Sequence, residues 1–325
     1  MDYTTLGRTG LRVSVAGLGC GGNSRIGQSA GLSEAESVAL VREALDLGVN
    51  FLDTAEAYGT EGIVGRAIEA VPRDQVVIST KCLIRRGDGL RSGADVVQCL
   101  EDSLRRLRTD HVDVFHLHAV SPANYEHALR ELAPALLREK EKGKLRHLGV
   151  TETGPNDPRQ EMMQRAMHDA CWEVVMLAFH MMHQGARRKV FPHTRRAGIG
   201  TLLMFVVRNI FSVPGLATQT MKELAAAGRV PAGLGETDQP LGFLVHPDGA
   251  ANLTDAAYRF ARHEPGTDVV LFGTGNRAHL RTNIDSILKP PLPAADVAKL
   301  YELFGALEGV GLDLPGFVQA ATARR

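Results

Sequence analysis

Short apolar runs alternate with longer amphipathic segments along most of the chain. Each run is short enough for a buried strand, and the segments between them repeat their apolar residues every three or four positions, as surface helices do. Parallel strands need helical crossovers, so this pattern predicts an α/β fold. Eight strands are predicted, over residues 12–18, 50–53, 75–80, 112–118, 145–150, 174–178, 201–205 and 268–272.

Eight strand-and-helix units in series favour a closed (β/α)8 TIM barrel over an open doubly wound sheet, in which about five or six strands are usual. Helices are predicted over 33–47, with Ser33 as N-cap and Glu36 three residues later, and over 94–107. Three glycines each end a helical pattern just before a strand, as C-terminal caps do: Gly48, Gly143 and Gly198.

Two stretches depart from the alternation. Residues 211–249 are rich in glycine and proline and follow the seventh strand. They predict either a long loop that shapes a binding site or a disordered excursion. From residue 294 the pattern indicates one extra helix and a tail. Because no linker or internal repeat interrupts the chain, we expect residues 1–325 to form a single domain.

Composition narrows the classes of function. The 325 residues contain 37 Lys and Arg against 37 Asp and Glu, so neither a nucleic-acid surface nor a membrane patch is indicated. Four scattered cysteines without Cys-x-x-Cys spacing argue against a disulfide framework or a thiolate zinc site. No apolar run approaches the ~18 residues of a membrane span. We expect a soluble, cytoplasmic protein that acts on small molecules.

Polar side chains of catalytic types stand at the ends of three predicted strands. The second strand ends at Asp53 and is followed by Tyr58, the third is followed by Lys81, and the fourth ends at His118. Barrel enzymes carry their chemistry at the carboxyl ends of their strands. One such residue alone is more often a packing residue, but four together predict a site that transfers a proton.

The four residue types suggest complementary roles. A phenol has an ordinary pKa of about 10, so Tyr58 needs a lowered pKa to act as a general acid near neutral pH. The ammonium of Lys81 would lower it, and Asp53 would hold Lys81 charged and oriented. His118 would direct a ring N–H at the oxygen of a substrate carbonyl.

Two glycine motifs suggest phosphate binding. Residues 17–22 match G-x-G-x-x-G after a strand, but the next helical pattern begins only at Ser33, which argues against a dinucleotide-binding Rossmann unit. Residues 271–280 read as a strand, a glycine turn and a helix start, where free N–H groups suit a phosphate. An ordinary left-handed turn is the alternative for this second motif.

Histidines offer a different chemistry. His116 and His118 share one face of the fourth strand, and His180 and His183 could add further metal ligands. This spacing is weak evidence for a metal-dependent hydrolase, and no metal site is expected.

The motifs resemble those of the aldo-keto reductase superfamily over nearly the whole chain. They are Asp-Thr-Ala-Glu-x-Tyr-Gly at 53–59, the strand that ends at Lys81, Leu-His at 117–118 and Gly-Thr-Gly-Asn followed by His-Leu and Asn across 273–283. Residues 6–14 also resemble the hairpin that covers the bottom of that family's barrel. The resemblance implies a TIM barrel with an N-terminal β-hairpin and an extra C-terminal helix.

The resemblance also implies NAD(P)(H) and hydride transfer between nicotinamide and a carbonyl or alcohol carbon. Asp53, Tyr58, Lys81 and His118 take the catalytic positions, with Tyr58 as general acid or base. The cofactor positions map onto Gly19, Cys20, Gly21, Thr151, Glu152, Met176, Met204, Phe205, Arg208, Gly273, Thr274, Gly275, Arg277, His279 and Asn283.

Several of these positions depart from the family pattern. Glu152 stands where an asparagine often contacts the carboxamide, and Met176 where a glutamine does. Gly273 replaces a lysine that pairs with the 2′-phosphate of NADP(H), and Arg277 or Arg208 would have to supply that charge. NADP(H) is favoured over NAD(H), which stays possible. The altered contacts leave a cofactor-binding sensor or regulatory protein with little turnover as the alternative to an enzyme acting on a small aldehyde, ketone or sugar-like substrate.

Overall fold

A closed barrel of eight parallel strands forms the centre of the molecule. The structure is a computed structural model and describes residues 1–313. The barrel strands are β1 (Ala16–Gly19), β2 (Phe51–Asp53), β3 (Val77–Leu83), β4 (Val112–Val120), β5 (Leu145–Glu152), β6 (Val174–Ala178), β7 (Gly200–Met204) and β8 (Val269–Phe272). They pair in sequence order, and β8 closes on β1 with Val270 opposite Ala16.

Helices surround this barrel, as the alternating pattern predicts. They are α1 (Glu34–Asp46), α2 (Glu61–Ile68), α3 (Gly93–Leu107), α4 (Tyr125–His127), α5 (Ala133–Glu141), α6 (Glu161–Ala166), α7 (Ala186–Lys189), α8 (Phe191–Ala197), α9 (Asn209–Ser212), α10 (Leu216–Ala226), α11 (Leu253–Arg262), α12 (Arg277–Leu288) and α13 (Ala294–Phe304). A π-helical stretch, Ala128–Leu132, joins α4 to α5.

Local signals set several helix ends. Ser33 accepts from the Glu36 N–H while the Glu36 carboxylate accepts from Ser33, which is the predicted capping box of α1. Ser92 and Asp95 repeat this arrangement at α3. The three predicted C-terminal glycines all have left-handed backbone angles, which glycine adopts without steric cost: Gly48, Gly143 and Gly198.

An N-terminal hairpin closes the amino end of the barrel. Tyr3–Thr5 pairs antiparallel with Arg12–Ser14, and Arg8 donates to the carbonyl of Trp172, just before β6. The predicted first strand, 12–18, is therefore two strands that break at Val15. The hairpin also contributes to an apolar plug inside the barrel, made of Leu6, Leu11, Val13, Phe51, Val77, Val114, Val174, Met176, Leu202 and Val269.

The segment after β7 is more regular than its composition predicts. Within 211–249, α10 runs for 11 residues and buries Ala217, Met221 and Leu224, so neither a plain loop nor a disordered excursion describes it. The extra helix predicted from residue 294 is α13, and the tail predicted after it lies outside the described residues from 314 onward. Across residues 1–313, none of the helices is long and apolar enough to cross a membrane.

Candidate functional site

The four predicted catalytic residues meet at the carboxyl end of the barrel. Asp53 ends β2, Lys81 lies near the end of β3, and His118 lies near the end of β4. Tyr58 closes a short 3-10 turn, Glu56–Tyr58, that follows β2. Since neighbouring parallel strands end at the same edge, three strands deliver these side chains to one place.

A buried ion pair forms the base of the site. The Lys81 ammonium donates to Asp53 Oδ2 at 2.7 Å and to the Thr54 carbonyl at 2.6 Å. Ser79 donates its hydroxyl to the other Asp53 oxygen at 2.8 Å. Ser79 lies two residues before Lys81, and its contact was missed although the two-residue period of a strand places both side chains on one face.

Tyr58 and His118 lie above this pair. The Lys81 Nζ is 4.9 Å from the centroid of the Tyr58 ring. The Tyr58 and His118 rings meet edge to face, with centroids 5.7 Å apart. Arg25 donates from Nε to the Tyr58 carbonyl at 2.8 Å and holds the turn from outside, a contact that no sequence pattern predicts.

Burial and charge set the protonation of the ion pair. Burial raises the pKa of Asp53, and the charge of Lys81 and the hydrogen bonds from Lys81 and Ser79 oppose that rise. Burial lowers the pKa of Lys81, but the nearby Asp53 and Tyr58 outweigh burial and leave it above its ordinary value. Lys81 therefore keeps its charge at neutral pH.

The pKa of Tyr58 departs from the predicted direction. Burial raises it above the ordinary value of a phenol, and the charge and hydrogen bond of Lys81 offset only part of that rise. The expected lowering is thus wrong. A raised pKa keeps Tyr58 protonated across neutral pH, which is the form a general acid needs.

His118 is held neutral. Burial, reinforced by the charge of Lys81, lowers its pKa to about 3. Its Nδ1 is buried without a partner in the described structure. A neutral imidazole has one N–H donor, so His118 can donate to an oxygen placed above the site but carries no charge to it.

A β-bulge fixes the backbone beside His118. The β4–β5 register shifts between Leu117 and Val120, and Ala119 has a left-handed φ of 56°. The Ala119 N–H donates to Thr151 Oγ1 at 2.8 Å. Thr151, predicted as a cofactor contact, therefore holds the strand that carries His118.

Glu152, next to Thr151, is buried at the end of β5. Its Oε1 accepts from the Ala178 N–H at 2.8 Å, whereas Oε2 has no partner in the described structure. Burial raises the pKa of Glu152 to about 8; the hydrogen bond from the Ala178 N–H opposes the rise, and the charge of Asp157 adds to it. The carboxyl group is thus mainly protonated at neutral pH.

The other predicted cofactor residues, on β6 and on or after β7, lie either in the interior of the barrel or at its carboxyl rim. Met176 packs in the apolar plug with Met204 against it, which places Met176 below the rim. Phe205 follows β7 with a left-handed φ of 65° and is half-buried. The guanidinium of Arg208 lies 4.4 Å from the Phe205 ring centroid and pairs with Asp313 at 2.8 Å, so its charge is already shared.

The loop after β1 reaches the catalytic residues. Gly19 ends β1, and the Cys20 N–H donates to the Asp53 carbonyl at 2.7 Å. The thiol of Cys20 is fully buried, and burial raises its pKa. Gly21 lies so close to the Tyr58 ring that a Cβ there would overlap it. A short, kinked 3-10 segment, Arg25–Ala30, follows Gly22, and the first α-helix begins only at Glu34, which agrees with the rejection of a Rossmann unit.

The predicted phosphate motif forms a strand, turn and helix start. Thr274 Oγ1 accepts from the Asn276 N–H, and Asn276 Oδ1 accepts from the N–H groups of Ala278 and His279. Two N–H groups that were expected to be free are therefore capped. The remaining predicted residues of this region line the turn and α12: Gly273, Gly275, Arg277 and Asn283.

Arg277 is not idle. Its Nε lies 3.2 Å from Glu43 of α1, and Arg281 donates to the same carboxylate at 2.6 Å. Glu43 thus competes for the charge that was expected to meet a 2′-phosphate.

The four histidines of the metal alternative do not come together as a cluster of three. His116 lies inside the barrel, opposite Lys81 in the β3–β4 register. His180 and His183 pair with each other in the turn after β6, with ring centroids 5.9 Å apart. Within the described residues, none of the four belongs to a group of three side chains whose ligand atoms lie close enough to share an ion.

The loops at this end of the barrel fit a polar ligand. Buried hydrogen-bonding atoms without a partner in the described structure occur near or after the carboxyl ends of four different strands: Ser24 Oγ, His118 Nδ1, Thr153 Oγ1 and Arg208 Nε. Leaving such a group unpaired costs about 1–3 kcal/mol, so water or a ligand is expected to satisfy them. These donors and acceptors suit the amide, hydroxyl and phosphate groups of a nicotinamide dinucleotide.

Comparisons with known sequences agree with this architecture. The model of the aldo/keto reductase family matches residues 17–304. L-galactose dehydrogenase of Arabidopsis thaliana is 31% identical over 209 residues, which cover 62% of this chain and 64% of that protein. Aldo-keto reductase YhdN of Bacillus subtilis is 32% identical over 213 residues, which cover 62% and 61%. The chain thus spans less than two thirds of the length of these relatives.

Solved structures show the same fold. Aldo-keto reductase AKR11C1 from Bacillus halodurans, in its holo form, superimposes with a TM-score of 0.71 at 22% identity, covering 96% of this chain and all of that one. The thermostable aldo-keto reductase Tm1743, solved with the inhibitor epalrestat, gives 0.67 at 22% identity, covering 93% and 99%. With a family model that matches most of its length and this shared TIM barrel, the chain belongs to the aldo/keto reductase family.

Proposed function

We propose that this chain is an oxidoreductase that uses NADP(H) or NAD(H) to interconvert a small aldehyde, ketone or sugar-like carbonyl with its alcohol. The assembly of Asp53, Lys81, Tyr58 and His118 at one end of the barrel carries the proposal. Family membership supports the nicotinamide cofactor, and a relative named L-galactose dehydrogenase supports a sugar-like substrate.

When bound, the nicotinamide cofactor supplies or accepts the electrons of the reaction. The chain supplies the proton. In reduction, protonated Tyr58 donates to the carbonyl oxygen, and Lys81 stabilises the tyrosinate that remains. His118 donates a hydrogen bond to the same oxygen and orients the carbonyl. In oxidation, Tyr58 takes the proton back from the alcohol.

The residues around this centre would hold the cofactor. Glu152, protonated at neutral pH, can act as donor or acceptor toward a carboxamide, and the half-buried Phe205 ring offers a face. The turn at 273–275 suits the phosphates. NADP(H) stays the favoured cofactor because the Arg277 side chain is 63% exposed, and a surface pair with Glu43 is weak enough to exchange for a phosphate.

Replacing Tyr58 by phenylalanine tests the proposal. Tyr58→Phe should lower kcat by roughly 10²–10⁴-fold, because it removes the proton donor and keeps the ring. Cofactor affinity, measured by calorimetry, should stay within about twofold, since the role proposed for the hydroxyl is proton transfer to the substrate and not a contact with the cofactor. The matched control is Tyr258→Phe, which changes a buried tyrosine of α11. Turnover of Tyr58→Phe at the wild-type rate would refute the assigned role.

A cofactor-binding regulatory protein is the second candidate. The observation that favours it is Glu152, whose Oε1 is occupied by the Ala178 N–H where a contact with the carboxamide was expected. Titration with NADPH and with NADH, followed by turnover assays on a panel of aldehydes, ketones and aldoses, separates the two functions. Calorimetry suits the titration better than tryptophan fluorescence does. Trp172 precedes β6 and lies at the end of the barrel away from the site, so its fluorescence would respond little to a bound cofactor. Tight binding without turnover would favour the regulatory function.

A further inference from the structure

A second cluster of chemically active side chains lies behind the proposed active site. Among residues 1–313, Glu56, Cys82 and Cys99 form the single group of three metal-binding residue types whose ligand atoms all lie within 4.8 Å of one another. Lys81 faces into the barrel, so the next residue of β3, Cys82, faces outward. There it meets Cys99 of α3 and Glu56 of the turn that carries Tyr58.

The sequence alone did not indicate this cluster. Cys82 and Cys99 are 17 positions apart and show none of the short spacings of a thiolate metal site. Packing of α3 against β3 brings them together, and both thiols are free and buried. Glu56 keeps a side-chain exposure of 31%, which leaves a route from solvent.

The cluster is already organised around a positive charge. Arg91 donates to both carboxylate oxygens of Glu56, at 3.1 and 2.9 Å, and to Cys82 Sγ at 3.1 Å. Its Nε is buried without a partner in the described structure. Two sulfurs this close resist carrying negative charge together unless a cation lies between them.

We propose that Glu56, Cys82 and Cys99 form a binding site for a thiophilic divalent metal ion such as Zn²⁺. Two thiolates and a carboxylate are a donor set that suits zinc. In a tetrahedral site with Zn–S bonds of ~2.3 Å, two sulfurs lie roughly 3.8 Å apart, so side-chain rotation within the observed 4.8 Å brings the ligands into place. The two thiol protons leave to solvent as the ion binds.

Arg91 and the ion compete for the same lone pairs. The guanidinium must turn away from Glu56 and Cys82 before an ion can bind both. The cost of this displacement limits affinity, which makes Arg91 the residue that sets how strongly the site holds metal.

Occupation of this site should slow the proposed reaction. Cys82 directly follows Lys81, and Glu56 lies two residues before Tyr58, so an ion that draws these ligands together moves the backbone on both sides of the catalytic pair. This effect on turnover rests on the proposed function, whereas binding itself does not.

Calorimetry with ZnCl₂ on the reduced full chain, without cofactor or substrate, tests the site. One ion should bind per chain, and Cys99→Ser should weaken binding by about tenfold or more, since a hydroxyl is a far poorer zinc ligand than a thiolate. Cys171→Ser, which changes a partly exposed thiol outside the cluster, should bind as the wild type does. Unchanged affinity in Cys99→Ser would overturn the proposal.

The variant Arg91→Met should change the Zn²⁺ affinity in the opposite direction. Removal of the competing cation should tighten Zn²⁺ binding, and weaker binding in this variant would contradict the assigned competition. Circular dichroism establishes that each variant is folded, and the thiolate absorption that Cd²⁺ produces in the wild type reports sulfur ligation without any substitution. Absence of that absorption would also overturn the site.

A turnover assay then separates the two proposals. Zn²⁺ should lower kcat of the wild type and leave Cys99→Ser less affected. If the wild type shows no turnover even without metal, the proposed reaction fails while the binding result stands. If metal binds and kcat is unchanged, the coupling to Lys81 and Tyr58 is wrong.

Discussion

Glu152 shows how burial can change the hydrogen-bonding groups that a residue offers a ligand. It replaces an amide expected at this position, yet its pKa of about 8 makes it a neutral acid at pH 7. A protonated carboxyl group has one donor and one acceptor oxygen, much like a carboxamide. The substitution therefore preserves hydrogen-bonding character at neutral pH and introduces a negative charge only in alkaline solution.

This pKa predicts a pH-dependent stability. The native pKa lies above the unfolded value of 4.5, so the folded state binds the extra proton. The contribution of protonated Glu152 to the free energy of unfolding is complete below pH 4.5. It falls as pH rises from 4.5 toward 8, by up to about 1.4 kcal/mol for each pH unit. Glu152→Gln should remove this decline.

Urea unfolding at pH 5.5 and pH 8.5 measures the effect. The wild type should lose more stability between the two values than Glu152→Gln does. Glu302→Gln, which changes an exposed carboxylate of α13, is the matched control and should behave as the wild type. Equal declines in wild type and Glu152→Gln would show that Glu152 ionises normally.

Among the barrel strands, β4 departs from regular geometry at its carboxyl end. The bulge at Ala119 turns the chain directly after His118 and interrupts the regular pairing of β4 with β5. The Ala119 N–H donates instead to the hydroxyl of Thr151. Left-handed backbone in residues other than glycine is unfavourable and persists where neighbouring contacts enforce it. We infer that Thr151 positions His118.

A matched pair of variants tests this inference. Thr151→Val keeps the shape but removes the partner of the partly buried Ala119 N–H, which should cost about 0.5–1.5 kcal/mol of stability. It should also lower kcat in the proposed reaction more than it raises KM. Thr151→Ser keeps the hydroxyl and should retain both properties. Equal behaviour of the two variants would mean that the hydroxyl does not hold the bulge.

At the scale of the whole molecule, the two ends of the barrel have separate roles. The amino end is filled by the apolar plug and covered by the hairpin, whereas the carboxyl end carries the ionisable side chains. This division is general in TIM barrels. Substitutions at the bottom should therefore change stability without changing the chemistry.

Leu6 provides the test. It is fully buried in the plug, so Leu6→Ala should lower the free energy of unfolding by about 2–5 kcal/mol. The matched control, Tyr3→Ala, changes a residue with 37% exposure on the same hairpin and should cost far less. Cofactor affinity of folded Leu6→Ala should equal that of the wild type. A selective loss of affinity would show that the two ends are coupled.

The sequence predicted the repeating elements better than their interruptions. All eight strands followed from the periodicity of apolar residues, and the N-terminal cap of α1 followed from Ser33 and Glu36. Each of these signals lies within a few residues of the chain. The break at Val15 did not, since the apolar run continues through it. The residues of α10 were obscured by the glycines and prolines around them.

Residue types at strand ends predicted which side chains meet, but not their electrostatics. Lys81 and Asp53 pair as expected, whereas the pKa of Tyr58 rises because burial outweighs the lysine. Met176 turned out to face the apolar plug, and Arg277 to share Glu43. Burial and long-range pairing arise from tertiary packing, which a residue pattern does not contain.

His116 and Gly149 illustrate a restriction of another kind. The His116 ring fills the space in which a Cβ of residue 149 would lie, and both positions face the barrel interior. Residue 149 therefore cannot enlarge while His116 is present, and because the Val174 carbonyl oxygen would also lie 2.9 Å from that Cβ, the backbone of β6 would have to shift as well. In a family tree of close relatives, lineages that retain the histidine at 116 should therefore retain the glycine at 149.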